Sequence, residues 1–200
     1  MRRAVLLDMG GVLVELGGER PFLELLGGTH TPEEMWRLWL ESPAVRAHET
    51  GRMATEAFAD AAVREFGLDI GAQDFLAHFR SWLRGPFEGA HALLDELGAR
   101  HDTAILTNIS PLHWPIASSF GLFERVRGVI ASHHIGAIKP DREFFEIALA
   151  TLGAAPGEAV FFDDNAINVA GARACGIEAH RVQGIGETRA RLAELRLLPA

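Results

Sequence analysis

The strongest constraint on this chain is a recurrence: short, fully apolar runs, each stopped by a polar residue, with helical patterns between them. Ala4-Val5-Leu6-Leu7 runs into Asp8 and then Gly10-Gly11. Thr103 to Leu106 runs into Thr107-Asn108, Gly128 to Ala131 into Ser132, and Ala159 to Phe162 into Asp163-Asp164, with Glu178 to Val182 as a further run. Such runs read as strands buried on both faces, as in parallel sheets. Between them, Ala90 to Gly98 places Leu93, Leu94 and Leu97 at helical spacing. Asp141 to Leu152 does the same with Phe144, Phe145, Ala148, Leu149 and Leu152, and Asp141 is the expected N-cap. Asn165 to Ala174 and Thr188 to Leu198 complete the set. Strand alternating with helix predicts an α/β fold, a doubly wound, Rossmann-like parallel sheet with helices on both faces.

Residues 16–86 break the rhythm. A parallel crossover needs only about a dozen residues, yet this stretch carries several amphipathic helices and no expected strand. Thr31-Pro32-Glu33-Glu34 is a helix start, with Thr as N-cap, Pro in the first turn and Glu at the third position. Met35, Trp36, Trp39 and Leu40 follow on one face, expected as packing residues. Phe58, Ala62 and Phe66 mark a second helix, and Phe75, Phe79, Trp82 and Leu83 a third. The expected organisation is an α/β core from residues 1–15 and 87–200, with 16–86 folding over it as a helical cap. Gly17-Gly18 and Gly85-Pro86, which flank the insertion, are candidate hinges.

Composition narrows the function. The chain has 200 residues, 48% of them hydrophobic and 23% charged, the proportions of a globular domain. A net charge of −8 disfavours nucleic acid as a partner. No apolar run reaches membrane-spanning length, and the four apolar residues after Met1-Arg2-Arg3 are too few for a signal peptide. A cytoplasmic protein with no membrane partner is therefore expected; nothing in the pattern specifies an oligomeric state. The single cysteine, Cys175, excludes an intramolecular disulfide and is expected as buried filler. Lysine is also single: Lys139 stands against 18 arginines, which fits a site where a compact ammonium cannot become a guanidinium.

Ligands of doubly wound sheets bind at the carboxyl ends of the strands. There this sequence places Asp8, Thr107, Asn108, Ser132, Lys139 and the pair Asp163-Asp164. Three close carboxylates repel one another. Three aspartates, one Mg²⁺ and Lys139 sum to zero charge, and hard oxygen ligands suit Mg²⁺. A metal, an ammonium and a hydroxyl around one carboxylate suit phosphoryl chemistry. His133-His134, read as adjacent strand residues, point to opposite faces and are expected to be structural.

Asp8-Met9-Gly10-Gly11-Val12-Leu13, Leu106-Thr107-Asn108, Ile138-Lys139-Pro140 and Phe161-Phe162-Asp163-Asp164 resemble, in order, the four motifs of the haloacid dehalogenase (HAD) superfamily. The insertion resembles that superfamily's C1-type cap. His48-Glu49-Thr50-Gly51-Arg52, His113 and Phe161-Phe162-Asp163-Asp164-Asn165-Ala166 resemble the branch of the bacterial α-D-glucose-1-phosphate phosphatase and the soluble epoxide hydrolase phosphatase domain.

The resemblance implies Asp8 as nucleophile, with Asp8, the Gly10 carbonyl and Asp164 holding Mg²⁺ and Asp163 a ligand or its support. It implies Thr107, Asn108 and Lys139 at the phosphate, and Asn168 orienting Lys139 or a metal-bound water. The implied reaction is hydrolysis of a small phosphomonoester, such as a sugar phosphate. In one respect the chain departs from the superfamily. Most of its phosphatases carry a second Asp two residues after the nucleophile as general acid and base, where this chain has Gly10. Glu49, His48 and His113 are the candidates to replace it. Two alternatives stand beside this reading: a metal-free 2-haloacid dehalogenase, and a non-catalytic binding module.

Overall fold

The computed structural model describes residues 3–199. In chain order the first part comprises β1 (Ala4–Leu7), β2 (Val14–Leu16), α1 (Glu19–Leu25), α2 (Pro32–Glu41), α3 (Pro43–Glu49), α4 (Thr55–Phe66), α5 (Ala72–Arg80) and β3 (Leu83–Pro86). Then follow α6 (Ala90–Gly98), β4 (Asp102–Thr107), α7 (Trp114–Ser118), β5 (Gly128–Ala131), α8 (Ser132–Ile135) and α9 (Arg142–Leu152). The chain closes with β6 (Ala159–Asp163), α10 (Ala166–Ala174), β7 (Glu178–Arg181) and α11 (Gly184–Glu194).

Five strands form one parallel sheet in the order β5-β4-β1-β6-β7. Strand residues alternate between its faces. Val5, Leu7, Ile105, Val160 and Phe162 pack with α6 and with Leu192 of α11, while Leu6, Ala104, Leu106 and Phe161 pack with Phe144, Phe145 and Ala148 of α9 and Val169 of α10. Each fully buried phenylalanine here contributes roughly 1.5–3 kcal/mol. The register sets the active edge. Leu7 lies beside Phe162 on one side and Ile105 on the other. Asp8 and Asp163 therefore leave the sheet at the same level, with Thr107 close by.

The helices between β2 and β3 enclose a separate aromatic core of Phe22, Trp39, Phe58, Phe75, Phe79 and Trp82. Some rings meet edge-on, as in Phe22 with Trp39 (5.4 Å, 83°), and others stack, as in Phe75 with Phe79 (6.0 Å, 5°), both arrangements compatible with the ring quadrupole. The expected capping box forms at Thr31: the Glu34 amide donates to Thr31 Oγ1 (3.2 Å) and the Thr31 amide to Glu34 Oε2 (2.8 Å). Three contacts pin this unit to the sheet domain. Arg46 pairs with Asp141. His113 Nε2–H donates to the Phe79 carbonyl (2.8 Å). Gly51, at φ +73°, lies so close to α8 that a Cβ would come within 2.8 Å of the His133 carbonyl.

Several local expectations change. The inserted region is not strand-free: β2 and β3 pair antiparallel at its base, so Leu83 is a strand residue, and Trp82 lies beyond the end of α5. β2 is only three residues long (Val14-Glu15-Leu16) and β3 contains Gly85 and Pro86, so neither gives an alternation long enough to read as a strand. The candidate hinge glycines Gly17 and Gly18 are also crowded: a Cβ would meet Arg84 Nε at 2.2 Å and Trp82 Cδ2 at 2.3 Å. Asp141 stands at the N-cap of α9 without making a side-chain cap, its carboxylate being taken by Arg46. His133 and His134 lie on helix α8, not a strand, with rings 4.0 Å apart and packed on Trp114. The last helix begins four residues earlier than expected, at Gly184. Cys175 is half-buried.

Candidate active site

The first apolar strand ends in a tight turn that presents Asp8. The Asp8 amide donates to the Phe162 carbonyl (2.8 Å), tying the turn to β6. The Leu13 and Val14 amides return to the Met9 carbonyl, and the Gly11 amide donates to the Val14 carbonyl. Gly11 has φ +71°, and a Cβ there would lie 2.1 Å from Asp164 Oδ2, so only glycine lets this loop approach that carboxylate. The turn's hydrogen bonds leave the Gly10 carbonyl unused among the described residues.

Lys139 enters from the segment after α8 and is 1% exposed. An ammonium has three N–H bonds to place. Lys139 Nζ donates to Asp8 Oδ1 (2.7 Å), Asp163 Oδ2 (2.7 Å) and the Leu106 carbonyl (3.0 Å). Burial alone pulls this amine down, but the Asp163 and Asp8 carboxylates outweigh it and hold its pKa above the ordinary value.

Asp163 is fully buried and saturated. Besides Lys139 it accepts from the Asn165 amide (2.8 Å) and from Asn168 Nδ2 (3.1 Å to each oxygen). It supports Lys139 from behind and does not line the cleft. Asn168 thus acts on Asp163, not directly on Lys139. Asn108 borders the cleft, but its side chain is committed to the Lys139 backbone: Oδ1 accepts from the Lys139 amide and Nδ2 donates to its carbonyl, both at 2.9 Å. Ser132 Oγ holds the loop after β4 through the Ile109 amide and carbonyl. Thr107 is buried at the cleft floor.

One carboxylate oxygen each from Asp8, Asp163 and Asp164 lie within 4.8 Å of one another. Burial, then the neighbouring carboxylates, push Asp8 well above the usual carboxylate range despite Lys139. Burial and Asp163 likewise raise Asp164 to about 7. Three carboxylates facing one ammonium leave two negative charges uncompensated. That shortfall and the hard oxygen donors fit a divalent cation such as Mg²⁺.

A cavity of about 440 Å³ opens over this edge, between the sheet and the helical insertion. Its floor is Asp8, Gly10, Thr107, Lys139 and Asp164, and its roof includes Trp36, Trp39, Glu49 and Trp82. Of the three candidates to replace the missing acid, Glu49 and His113 reach this wall and His48 does not. His48 Nδ1–H donates to the Met53 carbonyl (2.9 Å), and its ring stacks on Phe58 (4.4 Å). His113 is held neutral: burial, above all, pushes it down to about 4. Glu49 is 7% exposed; Trp39 Nε1 donates to its Oε1 (3.2 Å), and its Oε2 has no partner among the described residues. Burial raises its pKa to about 7, against the smaller opposing pull of the Trp39 hydrogen bond, Lys139 and Arg46.

Sequence reasoning missed Arg181, Gln183, Arg37 and Leu16, which also line the cavity. Arg181 and Gln183 end the Glu178–Val182 run, so the strand-end rule applied to that run would have found them. Arg37 and Leu16 carry no such signal.

A parallel sheet of this order, with a buried lysine bridging two strand-end aspartates beneath a helical insertion, is the framework of haloacid dehalogenase-like hydrolases. The model of that hydrolase family matches residues 2–176, and the chain belongs to it. It is 29% identical over 195 residues to the phosphatase MT3486 of Mycobacterium tuberculosis, covering 93% of this chain and 89% of that protein. Among solved structures, its fold is similar to the HAD family enzyme bt-2542 of Bacteroides thetaiotaomicron in complex with magnesium and inorganic phosphate. That likeness has a TM-score of 0.71 at 23% identity, over 92% of this chain and 95% of the other. Its fold is also similar to the L-2-haloacid dehalogenase of Xanthobacter autotrophicus, with a TM-score of 0.65 at 24% identity, over 91% and 78% of the two chains.

Proposed function

We propose that this hydrolase is a magnesium-dependent phosphatase acting on a small phosphomonoester through an aspartyl-phosphate on Asp8. The observation that carries the reading is the Lys139 bridge. One ammonium joins Asp8, at the cavity floor, to Asp163, behind it.

Asp8 attacks the phosphorus with the oxygen not held by Lys139, and water then hydrolyses the acyl phosphate. Lys139 keeps Asp8 in place and offsets phosphoryl charge. Thr107 contributes its hydroxyl to a phosphoryl oxygen, and Asn108 acts by fixing the Lys139 backbone. Asp8, Asp164 and the Gly10 carbonyl would hold Mg²⁺, which when bound supplies charge that stabilises the transferring phosphoryl group. The insertion serves as a cap, and the cavity size suits a small molecule such as a sugar phosphate. The match to a mycobacterial phosphatase supports this class.

The test is phosphate release from a panel of phosphomonoesters, hexose 1-phosphates included, with Mg²⁺ or EDTA. Metal-dependent release abolished by Asp8→Asn is the expected result. Halide release from 2-haloacids in EDTA would instead assign dehalogenase chemistry. Phosphate binding without turnover would assign a binding module.

A further inference from the structure

We infer that Glu49 is the general acid and base of this active site, donating from the cap the proton that position 10 cannot supply. The inference rests on the phosphatase reading of the Asp8 site.

Position 10 is closed to this role in two ways. Glycine has no side chain, and the space a Cβ would enter is held by Leu16, whose Cδ1 lies 2.9 Å from it. The proton must come from another group in the cavity wall. His113 donates Nε2–H to Phe79 and faces Ser110 Oγ at 3.4 Å with Nδ1, so both ring nitrogens are engaged. His48 lies in the aromatic core of the insertion. Asp164 belongs to the metal cluster. Glu49 alone among these combines a place in the cavity wall, a carboxyl free of any cation, and an oxygen without a partner. A buried polar atom of this kind requires a hydrogen-bond partner, and a substrate oxygen in the cavity provides one.

The elements around Glu49 hold it at a set position. It is the last residue of α3. One turn earlier, Arg46 pairs with Asp141 of the sheet domain, and two residues later Gly51 packs on the His133 backbone. The Thr50 hydroxyl closes onto the Arg46 carbonyl, and His48 closes onto Met53. The run His48-Glu49-Thr50-Gly51 is thus a clamp whose other members fix α3 while Glu49 faces the chemistry. Trp39 holds the other oxygen of Glu49. A carboxyl that titrates near neutrality suits both proton donation and proton uptake.

In the first step an Asp8 oxygen forms a bond to phosphorus, the phosphorus–ester oxygen bond breaks, and the Glu49 proton goes to the leaving oxygen. In the second, water attacks the aspartyl-phosphate, its proton goes to the Glu49 carboxylate, and Asp8 is released as a carboxylate. Atoms and charge balance over the cycle.

Two probes separate proton donation from everything else. In p-nitrophenyl phosphate the phenolate departs without a proton; kcat/KM reports the first step only. In ¹⁸O exchange between inorganic phosphate and water, the departing oxygen must be protonated. Glu49→Gln keeps the size of the side chain and its bond to Trp39. It is expected to lower the exchange rate by about 10²–10⁴-fold and kcat/KM for the aryl ester by less than about tenfold. Glu49→Asp, which withdraws the carboxyl, is expected to fall between Gln and wild type in exchange. Equal losses on both probes, or no loss on either, overturn the role of Glu49. Absence of Mg²⁺-dependent aryl ester hydrolysis in the wild type overturns the phosphatase reading itself.

Discussion

Replacing Lys139 by methionine isolates the interaction on which the site is built. Methionine has a similar length and no charge. The substitution strands Asp8 and Asp163, both previously 2.7 Å from Nζ, and leaves the Leu106 carbonyl without its donor. Breaking a buried ion pair by removing one partner costs about 3–5 kcal/mol. For a domain of this size each kcal/mol moves Tm by about 2–4 °C. The variant should therefore melt about 6–20 °C below wild type at pH 8 in EDTA. The deficit should depend on pH. Asp8 already sits above its ordinary pKa and rises further without the ammonium. The folded variant then binds more protons than the unfolded chain, so its stability increases as pH falls toward the unfolded carboxylate value. The gap to wild type should narrow between pH 8 and pH 5. Adding Asp163→Asn to Lys139→Met removes one stranded charge and should recover at least about 2 °C. Calorimetric melting across that pH range decides the matter. A Tm within about 2 °C of wild type at pH 8, or a deficit flat with pH, would refute the argument that Lys139 compensates these carboxylates.

Two further perturbations test other contacts. Gly11→Ala places a methyl 2.1 Å from Asp164 Oδ2 in a left-handed backbone; Mg²⁺ affinity by titration calorimetry should fall about 10–100-fold, and unchanged affinity would dissociate Asp164 from the metal. His113, held down to about 4, is neutral in the fold. The unfolded chain takes up its proton first on acidification, so the wild type should lose about 3 kcal/mol between pH 6.5 and 4 from this group. His113→Gln should flatten that part of the urea-denaturation profile while lowering stability at neutral pH, and an unchanged slope would show that the ring is not held neutral.

Much of the fold was legible because it is written locally. The four polar stops after apolar runs needed only strand periodicity and the rule that ligands gather at carboxyl ends. Thr31 announced its helix because a capping box spans four consecutive residues. Where partners lie far apart in sequence, the reading failed. β2 and β3 pair across the whole insertion, and three residues of β2 and the Gly85-Pro86 end of β3 are too little pattern to mark a strand. Asp141 has the sequence of an N-cap, but Arg46 takes its carboxylate. His133 and His134 follow a strand so directly that the turn into α8 left no signal.

The order of the site residues, and the gathering of three carboxylates and one ammonium among them, were determined by the sequence alone, because each follows from what ends a buried strand. The division of labour among them belongs to the tertiary structure. Asp163 and Asp164 are neighbours in sequence, yet one is sealed beneath Lys139 and the other faces the cavity. His48 and Glu49 are also neighbours, on a helix whose successive side chains diverge by about 100°. Only the packing of α3 between the aromatic core of the insertion and α8 decides that the histidine is buried against Phe58 and that Glu49 lies in the wall of the cavity that Asp8 also lines.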